Sequence, residues 1–137
     1  MSDDIDLLRR LTDAFNRRDL DTLREFYAPD LTAHAGELSL QAGRAGRPVV
    51  LAEFASLFAT FERMEVIAED YIKRGGAIVV PSRWCGTVSG SDSVIEQRVV
   101  AVYRVRDGLV AAIDYYGTLD TAFAAVDAQA PPAESPG

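Results

Sequence analysis

Ala77-Ile-Val-Val-Pro-Ser-Arg-Trp-Cys-Gly-Thr-Val-Ser89 is the stretch on which the fold turns. It is rich in β-branched and apolar residues and lies between two turn signals, Gly75-Gly76 and Gly90-Ser91-Asp92. The pattern predicts a long strand over 77–89 with a hairpin at each end. Working outward, the period of apolar residues is two from Arg63 onward. Flanking strands are predicted over 65–73, 93–106 and 109–118, the last two joined at Asp107-Gly108. Upstream the period is helical. Ile5, Leu8, Leu11 and Phe15 share one face of a helix over 4–17. Asp19 can cap a second short helix carrying Leu20, Leu23, Phe26 and Tyr27, which Pro29 stops. Residues 31–35 read as a short strand and 41–47 as a glycine-rich loop. Pro48 then opens a third helix bearing Val50, Leu51, Phe54, Leu57, Phe58 and Phe61. A short final helix is predicted over 119–126. Helices first and antiparallel strands after make the class α+β.

One domain accounts for the length of 137 residues, read as 1–127, with a disordered tail over 128–137 rich in Ala, Pro, Glu and Ser. The net charge of −7 argues against nucleic acid or an anionic membrane as partner, since both need Lys and Arg to neutralise phosphate. No apolar run reaches membrane-spanning length and no secretory leader is visible, so a cytoplasmic location is expected. A single cysteine, Cys85, and a single histidine, His34, make a metal site improbable chemistry here, and no cofactor is called for.

The faces of the sheet follow from the hairpins. A two-residue turn at Gly75-Gly76 pairs Arg74 with Ala77, so Ala68 falls opposite Arg83 and Asp70 opposite Pro81. Met64, Val66, Ala68, Asp70 and Ile72 then share a face with Val79, Pro81, Arg83 and Cys85. On the next strand Val99, Ala101, Tyr103 and Val105 form the apolar side, which turns to the helices. Arg83 is thereby expected to point into an apolar interior, where a charge demands an acceptor, and Asp70 is its diagonal neighbour. A polar spot in an apolar pocket is the usual form of a small-molecule site. The other face carries Ile67, Tyr71, Ile78, Val80, Trp84, Val100 and Val102, too apolar for water. It reads as a homodimer interface anchored by Trp84, Tyr71 and Ile67. The last hairpin allows two readings. A two-residue turn would put Asp114 and Tyr116 inside; a three-residue turn with a bulge at Gly108 would put Ile113 and Tyr115 inside and Asp114 outside near Arg98.

The stretches Phe15-Asn16-Arg17-Arg18-Asp19-Leu20-Asp21, Phe26-Tyr27-Ala28-Pro29-Asp30 and Tyr103-Arg104-Val105-Arg106-Asp107-Gly108, with the pair Tyr115-Tyr116, resemble the nuclear transport factor 2-like superfamily and, within it, the SnoaL-like group. The resemblance implies a cone, a curved sheet wrapped around three N-terminal helices with an apolar pocket inside. It brings with it polyketide cyclases, ketosteroid isomerases, limonene epoxide hydrolases and binding or scaffold proteins. Where the isomerases carry an oxyanion-holding tyrosine, a basic aspartate and a proton-donating aspartate, this chain has Leu11, Ala35 and Ala101, so the resemblance implies that their chemistry is absent. Of the hydrolases' Asp-Arg-Asp set, Arg83 matches the arginine, Cys85 replaces one aspartate, and the other falls at or beside Asp114-Tyr115.

The expected function is a pocket for a small apolar molecule carrying oxygen. If the protein is an enzyme, it does cofactor-free isomerisation, cyclisation or hydrolysis. Asp70, His34 or Asp114 would serve as base, and Arg83 and Tyr115 as donors to an oxyanion or epoxide. Phe15, Phe54, Phe58, Cys85, Val99, Ala101, Tyr103 and Ile113 would line the pocket. The alternatives are a non-catalytic ligand-binding or dimerisation module and an adaptor with a protein partner.

Overall fold

A computed structural model describes residues 3–34 and 44–129. The described elements run α1 (Asp3–Asn16), α2 (Leu20–Arg24), β1 (Tyr27–His34), β2 (Arg44–Ala45), α3 (Arg47–Thr60), β3 (Phe61–Ala68), β4 (Ile72–Arg74), β5 (Ala77–Val88), β6 (Val94–Arg106), β7 (Leu109–Tyr116) and α4 (Leu119–Gln129). The strands form one curved, unclosed sheet in the order β2-β1-β7-β6-β5-β3, with β4 also paired to β5. All neighbours are antiparallel except β1 and β7, which run parallel. The α+β architecture follows the sequence pattern.

On α1, Leu7, Leu8, Leu11, Ala14 and Phe15 are buried on one stripe, while Asp3, Asp4 and Asp6 in the first turn complement the helix dipole. Asp19 caps α2 as expected: its carboxylate accepts from the Thr22 N–H at 3.1 Å and from the Thr22 hydroxyl at 2.7 Å. Helix α2 ends at Arg24, earlier than the proline suggested, and the strand expected over 31–35 already begins at Tyr27. Pro29 instead sits exposed in an irregularity between Tyr27 and Thr32, where a missing N–H removes nothing from the ladder. Pro48 occupies the first turn of α3, and Phe61 opens β3 rather than closing the helix. The two-residue strand β2 lies within the segment read as loop. Residues 128 and 129 belong to α4; the rest of the expected tail, 130–137, lies outside the described residues.

Two irregularities decide what each face carries. Ile72, Lys73 and Arg74 pair with Val79, Ile78 and Ala77, the register that the Gly75-Gly76 turn requires. Beyond them the register slips by one, and Ala68 pairs with Ser82, Ile67 with Arg83 and Val66 with Trp84. Three residues, Glu69, Asp70 and Tyr71, thus stand against two on β5, and the Glu69 N–H donates to the Pro81 carbonyl at 2.8 Å. A slip of one exchanges the faces of a strand. The inner face of β5 is therefore Ile78, Val80, Ser82 and Trp84, opposite Tyr103, Ala101, Val99 and Gln97 of β6. The second irregularity lies between Val105–Val110 and Arg104–Ala112. The turn at Asp107-Gly108 is the two-residue form, with φ of 54° and 78°, and the bulge falls two residues later. Ile113 and Tyr115 end up inside.

The inner face packs on α1, α2 and α3 to make the main core around Leu8, Leu11, Phe15, Tyr27, Leu31, Val50, Phe54, Val80 and Ile113. The opposite face has its own cluster, in which Ala122 and Val126 of α4 cover Ala77, Val79, Val100 and Val102. The apolar outer surface read as a dimer interface is thus partly closed by the chain's own last helix. Ile78, Val80 and Trp84 lie on the inner side.

Candidate functional site

Aromatic rings cross the interior from helices to sheet. Tyr27 and Phe54 have ring centroids 6.2 Å apart, Phe54 and Phe15 5.3 Å, Phe15 and Trp84 5.9 Å, and Trp84 and Tyr115 5.9 Å. Phe58 packs edge-on to Phe15 at 5.0 Å. Alternation on β6 and β7 brings Tyr103 beside Ile113 and Tyr115 beside Ala101, on the side facing the helices. Tyr103, Tyr115, Trp84 and Phe58 remain partly accessible although they face inward, whereas Phe15, Phe54 and Tyr27 are buried.

Three phenols share this interior. Burial is the main cause raising the ionisation of Tyr27, Tyr103 and Tyr115 well above the ordinary tyrosine range. Mutual repulsion adds to it: Tyr103 and Tyr115 raise Tyr27, Tyr103 and Asp114 raise Tyr115, and Tyr71 raises Tyr103. At neutral pH all three are protonated donors. The inward hydroxyl of Ser82 is spent on the Val80 carbonyl at 3.2 Å.

The charged candidates lie elsewhere. Arg83, expected inside, is on the outer face opposite Arg98. Its guanidinium meets Glu69 at 3.2 Å and Glu96 at 3.3 Å, and Glu69 also holds Arg98. The hydrogen bond that Arg83 donates to Glu96 is the main cause raising the Arg83 pKa. The reason is the one-residue slip at Glu69–Tyr71, which the hairpin register alone does not reveal. Asp70, expected to partner Arg83, sits exposed in that bulge, where its carboxylate accepts from the Tyr71 N–H at 2.8 Å. Cys85, expected to line the pocket, pairs with Glu65 on the outer face and is half-buried as a free thiol. Asp114 lies outside, as the bulged reading of the hairpin has it. Its partner is His34, whose Nδ1 stands 3.2 Å from the Asp114 carboxylate, and not Arg98. The two are neighbours in the parallel β1–β7 pairing, and His34 is exposed.

Phe15, Phe54, Phe58, Val99, Ala101, Tyr103, Ile113 and Tyr115 stand on the inner side as expected. Trp84, read as an outer dimer anchor, packs inside between Phe15 and Tyr115. Tyr71 packs against the main core beneath the Arg9 guanidinium, 5.2 Å from its ring centre. Ile67 is the anchor that does lie outward, opposite Arg83. Leu11, at the isomerases' tyrosine position, is a buried core residue, and Ala35 lies outside the described residues. Tyr27 is the inner phenol that the sequence reading placed at a helix end. The irregularity around Pro29 breaks the alternation that would have flagged it.

These features are those of the nuclear transport factor 2-like fold, and solved structures share it. A structure of TerC co-crystallised with polyporic acid superposes with a TM-score of 0.73 at 16% identity, covering 92% of this chain and 99% of that one. An NTF2-like protein of unknown function from Burkholderia pseudomallei K96243 gives 0.74 at 21% identity, covering 92% and 98%. A candidate SnoaL-like polyketide cyclase from Jannaschia sp. CCS1 gives 0.71 at 24%, covering 96% and 94%. At such identities the likeness is one of fold. Within it, the chain belongs to the SnoaL-like domain family, whose profile matches residues 8–113. No curated protein matches the chain by sequence. Among the described residues no helix is long and apolar enough to cross a membrane.

Proposed function

We propose that this SnoaL-like protein binds a small, largely apolar, oxygen-bearing molecule in the hollow of its cone. The observation that carries the reading is the trio Tyr27, Tyr103 and Tyr115. Three protonated phenols face an interior walled by Phe15, Phe54, Phe58 and Trp84. Such a wall offers dispersion and ring stacking to a flat apolar body, and the hydroxyls fix its oxygens. The fold neighbour crystallised with polyporic acid is consistent with a ligand of this kind. Binding without turnover is the favoured form, because Arg83, Asp70 and Asp114 do not converge on the phenols. Cofactor-free cyclase or isomerase chemistry is the second form, in which the phenols polarise a substrate carbonyl.

The test is a thermal-stability screen against aromatic polyketides, steroids and epoxides. A ligand present at about 100 times its dissociation constant adds about 2.7 kcal/mol to stability. A clear rise in Tm for one class supports the reading. No shift with any compound, at concentrations up to solubility, removes it.

A further inference from the structure

One edge of the sheet opens in mid-strand. Strand β6 starts at Val94, but β7 pairs with it only from Val100, opposite Tyr116, to Arg106, opposite Leu109. Past Tyr116 the chain leaves the ladder for α4, where the Thr118 hydroxyl accepts from the Thr121 N–H at 3.1 Å. Val94–Val99 therefore have β5 on one side and, among the described residues, no strand on the other. Val94 to Arg98 are all exposed, Val94 at 73% and Ile95 at 46%.

An open edge is ordinarily blunted by a proline, a bulge or a charge standing over it. Val94–Val99 contains no proline, and its pairing with β5 is regular. Its two charges lean the other way: Glu96 accepts from Arg83 on β5, and Arg98 reaches across β5 to Glu69. The edge of β3, by contrast, is occupied at Val66 by the Asn16 amide. What β6 presents is a row of backbone donors and acceptors with two exposed apolar side chains beside it, the requirement for strand addition.

The strand is complementary to itself. When a second copy lies antiparallel along this edge with Ile95 opposite its own counterpart, Val94 faces Glu96 of the other copy and Arg98 faces Asp92. The partner's β5–β6 turn then ends beside Val99, short of Tyr116. Centring the pairing on Glu96 would set two carboxylates against each other, and centring it on Gln97 would drive the partner's Val94 into Tyr116.

We infer that the β6 edge from Val94 to Arg98 is a docking surface for a second copy of this chain, the two sheets joining edge to edge across a two-fold axis at Ile95. The contact is short, so the pair is weak and concentration-dependent. It is independent of the hollow and of what binds there, and it differs from face-to-face packing through Ile67.

The experiment is sedimentation equilibrium of the full chain over a range of concentrations, repeated with Ile95→Lys, with Ile95→Glu and with an equimolar mixture of the two. Circular dichroism and Tm confirm that each variant folds. The unaltered chain is expected to dimerise, and each variant alone to associate about tenfold more weakly, because like charges meet at the axis. The mixture should regain a dimer holding one of each, since only there do opposite charges face one another. Ile67→Glu, on the outer face of the sheet, should leave the dimer unchanged. A chain monomeric up to about 1 mM, a dimer indifferent to Ile95→Lys, or a mixture no tighter than either variant would each overturn the inference. A dimer lost in Ile67→Glu but kept in Ile95→Lys would overturn it in favour of the sheet face.

Discussion

Arg18 shows how much one side chain can hold in this protein. Its φ of 60° places it in the left-handed region, just after α1. From there its guanidinium donates to the carbonyls of Phe58, Phe61 and Glu62, at 2.8, 2.7 and 2.9 Å, where α3 gives way to β3. Asn16, two residues earlier, donates to the Val66 carbonyl and accepts from the Val66 N–H, occupying the open edge of β3 much as a further strand would. Arg18→Ala would leave three carbonyls at this junction without their charged donor, and is expected to cost about 2 kcal/mol in chemical denaturation. Arg18→Lys should recover only part of that, since an ammonium lacks the planar fork. A loss below about 0.5 kcal/mol would mean water replaces the guanidinium without penalty. The same residues carry the family resemblance, so what the sequence advertises most clearly at this scale is a structural joint. Arg83 is the opposite case. Its alternation with Val79 and Pro81 was plain and its interior placement wrong, because the bulge at Glu69-Asp70-Tyr71 contains neither glycine nor proline to announce it.

Among the elements, the edge strand β3 is where close packing sets the tightest limit. A Cβ at Gly86 would lie 2.9 Å from Cδ1 of Phe61 and 3.1 Å from the Arg63 carbonyl oxygen. The ring can yield but the main chain of β3 cannot without loosening its pairing. Gly86→Ala is therefore expected to cost about 1–3 kcal/mol in urea unfolding. Combining it with Phe61→Leu should recover part of the loss, and an unchanged midpoint for Gly86→Ala alone would contradict the packing argument. Elements were the most legible level. The helical stripes of α1 and α3, the cap at Asp19 and the three turn signals were read from spacing alone and stand in the structure. What spacing missed were departures from regular pairing. The irregularity at Pro29 hid Tyr27, and the bulge after Val110 combined features of both readings of the last hairpin.

For the molecule as a whole, all five tyrosines have their ionisation raised, with burial the main cause in each. The sign of the linkage follows. Below the ordinary value of 10.0 both folded and unfolded chains keep their phenols protonated, and the contribution to stability is whole. As pH rises past it the unfolded chain releases protons first, so folding loses stability through the alkaline range. Ultraviolet difference titration should show the folded protein ionising well above the same chain in guanidinium. Tyr27→Phe should reduce the number of late-ionising groups. Coincident folded and denatured titrations would mean that the interior phenols are solvated. At the acid end the direction reverses: Asp30 and Asp127 are lowered by Arg106 and Arg74, and Asp19 by Thr22. Their share is present above the unfolded carboxylate range and fades as pH falls through their folded values.

The sheet is covered on both sides by the same chain, the inner face by α1–α3 and part of the outer face by α4, with the charged residues outside and the phenols within. It acts as a partition wall whose two sides can be refurnished separately. Ala33 and Ala101 stand on the sheltered side, next to Ile113 and Tyr115 respectively, and both are small. An acid installed at either position would become neighbour to the phenols while every ion pair on the weather side stayed in place. A lineage, or a laboratory, seeking new chemistry from this scaffold need change one lodger and rebuild nothing behind it.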